Sequence, residues 1–94
     1  MKTEQRAQVL SQVAERIALL NEFRTDDFQD EVVRIVNDAR EHWREGGGEL
    51  PRIGSDPLFD ALMRMVEVAD SSPIAVRDAC AAAFRQAEDA RAAR

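Results

Sequence analysis

Ninety-four residues, 45% hydrophobic and 33% charged, suffice for one domain with a single core and leave little length for an elaborate cleft beside it. A net charge of −5, with no long segment more basic than +1, excludes the basic face that supplies most nonspecific affinity for nucleic acid. Cys80 is the only cysteine, so no intrachain disulfide can form, and no apolar run approaches the roughly 20 residues of a membrane span.

Four Gly, three Pro, no Tyr and abundant alanine point to an all-α chain, because a β-sandwich needs β-branched and aromatic alternation that is missing here. The opening MKTEQRAQVLSQ lacks the apolar centre of a signal peptide, so the expected compartment is the cytoplasm. Arginine outnumbers lysine twelve to one, which reads as a coding bias.

The spacing predicts a first helix over 3–23. Val9, Leu10, Val13, Ile17 and Leu20 form one stripe of about 100°. Arg6 continues that stripe, so the first turn should emerge from the core, while Leu19 lies off it as an exposed leucine or an edge contact. A second helix is expected over 27–45, with Phe28, Val32, Ile35, Val36, Ala39 and Trp43 on one face. Asp26 with Gln29 fits a capping box, and Asp27, Asp30 and Glu31 place negative charge where the helix dipole favours it. Residues 46–56 form the longest irregular segment, which Leu50 and Ile53 are expected to pin to the bundle.

Asp56-Pro57 opens a third helix over 57–69, and Ser72-Pro73 opens a fourth over 73–91 by the same device. Within LFDALMRMVEVA (58–69) the polar residues Asp60, Arg64 and Glu67 fall on one narrow strip, leaving an unusually wide apolar arc. Leu62, Val66 and Ala69 should be its most buried residues. The fourth helix aligns Val76, Cys80, Phe84 and Ala87, with Ala75, Ala79 and Ala83 beside them. Small side chains at that spacing let two helix backbones approach closely. The tail, 88–94, has no large apolar residue and is expected to fray.

No constellation spells out chemistry. Asp26, Asp27, Asp30 and Glu31 lack the alternating ligands of a calcium loop. His42 has Asp38 and Glu45 at contact spacing but no companions for a metal site, so no metal or cofactor is expected. Cys80 on its apolar line reads as a small hydrophobe and Trp43 as a core anchor. The triple glycine at 46–48 follows a helix rather than a strand and is no phosphate loop.

The segment His42-Trp43-Arg44-Glu45-Gly46, near the middle of a short acidic helical chain, resembles the Trp-x-Gly class of small type VII secretion substrates, which are two-helix hairpins. The spacing here is Trp-x-x-Gly, Pro57 and Pro73 add helices, and no tyrosine supplies the Tyr-x-x-x-Asp/Glu export signal. The resemblance covers some five residues and carries no membership.

The expected object is therefore a single all-α, four-helix domain spanning 1–94, with the third helix central. Its expected function is that of a noncatalytic cytoplasmic interaction module, an adaptor or accessory subunit that forms a homodimer or docks on another protein. Leu19, Phe59, Met63 and Met65 are the expected contact residues, because the arc of the third helix exceeds what short amphipathic neighbours cover. One alternative is a helix-turn-helix DNA-binding regulator, with its corner at 70–73 and 74–90 as recognition helix. Another is a small all-α enzyme whose arginines, such as Arg6 and Arg16, clamp an anion.

Overall fold

The computed structural model describes residues 2–47, 50–52 and 54–93. Four helices follow in order: α1 (Thr3–Glu22), α2 (Phe28–Gly47), α3 (Pro57–Glu67) and α4 (Pro73–Ala92). They run up-down-up-down. The end of α1 lies against the start of α4, where the Asn21 amide donates to the Pro73 carbonyl (2.9 Å). The start of α1 reaches the start of α3, where Arg6 meets Asp56. α1 and α3 touch each other and both remaining helices, whereas α2 and α4 do not meet. The centre is thus shared by α1 and α3 and does not belong to α3 alone.

The helix starts form where the sequence marks them. One Asp56 carboxylate oxygen accepts from the Leu58 amide (2.9 Å) and the Ser72 hydroxyl accepts from the Ala75 amide (3.2 Å), each just before a proline that has no amide to satisfy. The start of α2 shifts by one residue. The Asp27 carbonyl, not that of Asp26, receives the first helical bond, from the Glu31 amide (2.9 Å). α4 continues through Ala92 instead of fraying from 88, with Ala87 buried and Ala90 packed on the core. Alanine, arginine and glutamate are good helix formers, and small residues suffice where α4 lies so close to α1. Leu50 packs on the core as expected; Ile53 lies outside the described residues.

α1 and α4 share a more extensive backbone contact than any other pair of helices. The composition of the two buried faces accounts for this: Ala7 and Ala14 lie on one, Ala79, Ala83 and Ala87 on the other. The alanine line of α4 is consumed inside the chain. Arg6 corrects the expectation of a protruding first turn: its guanidinium bonds the second Asp56 oxygen at 2.6 Å with side chains 28% and 15% exposed, and Ala7 beside it is fully buried.

The apolar arc of 58–69 is also spent internally. Leu58, Phe59, Leu62 and Met65 are buried, and Ala61 and Met63, each about 100° from Leu62 on the helix, pack half-buried on the core. Val66 is only half-buried and cedes its expected place to Met65. The helix stops at Glu67, and Val68 and Ala69 turn inward on the way to the corner, their amides bonding to the Arg64 and Val66 carbonyls. Three 20-residue neighbours cover more than the sequence pattern suggested.

Leu62→Ala should lower the unfolding free energy by about 2–5 kcal/mol in chemical denaturation, the cost of a cavity with no exposed side to collapse from. Asp56→Ala should cost about 1–2 kcal/mol, and Asp56→Asn distinctly less, because asparagine keeps the cap acceptor and loses only the charge opposite Arg6.

Candidate functional site

α1 fits α4 tightly, but its other flank does not close on α2. The α2 face carries Phe28, Val32, Ile35, Val36 and Trp43, all buried. These bulkier side chains hold α2 farther from α1 than alanines hold α4. The seam opens as two depressions. One, of about 230 Å³, is lined by Arg16, Leu19, Leu20, Glu31, Arg34 and Ile35. The other, of about 200 Å³, is lined by Val9, Gln12, Val13, Arg16, Ile35, Asp38, Ala39 and His42. Arg16 and Ile35 belong to both, so the two lie next to each other along one groove-like seam with an apolar floor and a charged rim.

Leu19 stands on the lip of this groove, 60% exposed, with Phe23 just past the end of α1 at 68%. Both sit on an outer stripe with Gln12 and Glu15, which border a shallower hollow shared with Arg16 and Leu19. Across the seam between α1 and α4, Ile74 is 61% exposed above a shallow depression with Ala18, Asn21, Glu22, Pro73 and Arg77. Arg24 closes that end of the bundle. Its guanidinium lies 4.2 Å above the Phe28 ring and donates to the Ser71 carbonyl (3.3 Å) and to Asn21 Oδ1 (3.0 Å).

Of the four residues expected on a contact surface, the structure keeps one fully in the open. Leu19 is exposed and Met63 half-buried, but Phe59 and Met65 are core residues. Phe59 meets Trp43 edge-on, with ring centroids 5.9 Å apart. Neither side chain can reach a partner without opening the bundle, because α1, α2 and α4 together cover the centre of the arc and leave only its flanks half-buried. The groove was missed because its floor residues look like ordinary core positions. Only the mismatch between alanine-rich α4 and bulky α2 hinted that one seam would be wider.

Among the described residues no three His, Cys, Asp or Glu side chains stand close enough to hold a metal ion. His42 faces solvent at the groove end without a bond to Asp38. Trp43 is buried, and α2 runs on to Gly47, so the Trp-x-x-Gly segment lies within a helix and not at a hairpin turn. On α4 the outward arginines have acidic company: Arg77 lies 3.9 Å from Asp78, and Glu88 follows Arg85 by one turn. No helix of the described residues is long and apolar enough to cross a membrane. No protein-family model, curated protein or solved structure matches the chain.

Cys80 is buried in the core, and burial pushes its thiol from 9.0 up to about 11. Folding therefore favours the protonated form. The associated stability is present in full below pH 9 and disappears as pH rises through about 11. Thermal melts should fall more steeply across this interval for the native chain than for Cys80→Ala. Thiol-reactive dyes at pH 8 should label the folded protein far more slowly than the unfolded one.

Proposed function

We propose that this protein is a noncatalytic helical interaction module acting in the cytoplasm, and that it binds other protein surface through the groove between α1 and α2. The observation that carries this reading is the exposed Leu19, beside Phe23, on the lip of an open apolar seam. A large apolar side chain that exposed, beside a hollow with a charged rim, has the form of a contact surface with an apolar centre and polar margin. The support does not come from α3, whose arc is buried at its centre and half-buried at its flanks. A free buried thiol accords with a reducing compartment.

Arg16 and Arg34 lining one depression favour a second reading, a site for a small anion. Glu31 in the same lining opposes an anion, and about 230 Å³ is smaller than the roughly 300–1,000 Å³ usual for small-molecule pockets. The protein-contact reading fits both facts better.

A photo-crosslinking side chain at position 19 tests it in the native host. Crosslinks to a protein from position 19, absent when the probe replaces Glu67 on α3, are the expected result. Equal yields from both positions, or none from either, would remove the groove as a contact surface.

A further inference from the structure

Building on the groove as a protein-contact surface, we propose that its partner is a second copy of this chain. The two copies are related by a two-fold axis running across the groove, so that Leu19 of each fills the hollow of the other. The knob stands on one of the two helices that line the hollow. Leu19 lies ten residues from Val9, about 15 Å along α1, and Val9, Val13 and Ala39 line the hollow at the far end of the groove. A two-fold across the groove lays α1 antiparallel on α1 and α2 antiparallel on α2. One self-complementary patch is then used twice.

The rim charges choose this axis. Arg34 and Asp38 lie one turn apart on the α2 rim. With the axis midway between them, Arg34 of each copy faces Asp38 of the other. The same operation brings Glu31 near His42 of the second copy, while Glu15, close to the axis, meets its own counterpart with Arg16 of both copies beside the pair. Because α1 and α2 are antiparallel, with Leu20 level with Glu31 and Val9 level with His42, the matching point on α1 falls near Glu15. Leu19 then lands between Val9 and Gln12 of the second copy. A two-fold along the groove would instead lay α1 on α2 and set Arg16 against Arg34, a like-charge contact made twice. Among the described residues, none of Arg16, Glu31, Arg34 and Asp38 has an intrachain ion-pair partner. All four charges are free to serve the second copy.

Two 20-residue helices side by side present about 30 by 20 Å, so the footprint is roughly 600 Å² per subunit, below the ~800 Å² of a standard stable interface. A reversible dimer follows, populated with rising concentration.

Sedimentation equilibrium of the full chain tests this. The native protein should move from 10.6 kDa toward twice that mass as concentration rises. R34D and D38R should each weaken association at least about tenfold, since each sets like charges face to face across the interface. Leu19→Asp should do the same. An equimolar mixture of R34D and D38R should dimerise again, and so should the double variant R34D/D38R, because both restore opposite charges. All these positions are exposed, so circular dichroism should be unchanged. A native chain that stays monomeric at millimolar concentration, or a mixture and a double variant that both stay monomeric, would overturn the proposal. If the chain is monomeric and position 19 crosslinks to a different polypeptide, the self-pairing fails and the contact surface stands. If position 19 crosslinks to nothing, both fail.

Discussion

The close packing of α1 on α4 is the constraint from which the other arrangements follow. Alanines at the contact let the two backbones approach, and dispersion contacts accumulate along both helices. Once α1 is committed to α4, it cannot sit equally close to the bulkier face of α2. α3 then fills the space between the pairs, which explains why it is short and yet apolar over most of its circumference. The open seam is the residue of this compromise. A bundle with four equal seams would have no groove, and one with larger residues on α4 would place the opening elsewhere.

Polar groups inside this bundle are few and local. No polar or charged residue among those described is buried outright. The nearest approach is Arg6 with Asp56, where one carboxylate serves two purposes, capping α3 and anchoring the first turn of α1. Asp56 thereby ties two helix starts that are fifty residues apart. The other end is held differently, by Asn21 and Arg24 reaching the backbone of the corner between α3 and α4. Both ties use groups that would otherwise hydrogen-bond to water, so their net contribution is modest. They define which helix ends meet; the apolar core supplies the stability.

Local signals were legible in the sequence and tertiary choices were not. Asp56-Pro57 and Ser72-Pro73 mark helix starts because the physics of capping acts within three residues. The stripe of α1 and the inward face of α2 were likewise readable, since both follow helical period. Met65 and Val66 show the limit. Both lie within the apolar arc of α3, and which is sealed depends on where the neighbouring helices stand and on Val68 leaving the helix. Phe59 and Met65 read as surface residues in the sequence only if their neighbours are too short to cover them, which depends on three other segments at once. The groove failed to show for the same reason. Its floor residues, Val13, Ile35 and Ala39, are nearly buried, and what makes them a floor is the distance between two helices.

The Trp43–Phe59 contact has a mechanical side. Phe59 lies one turn from Asp56 at the start of α3. That single turn therefore supports α1 through Arg6 and α2 through Trp43, from behind the groove. Part of what holds the two rims in place therefore lies where no visitor to the groove can touch it. A smaller side chain at position 59 would let the end of α2 settle, narrowing the hollow beside His42 while every residue of its lining stayed the same.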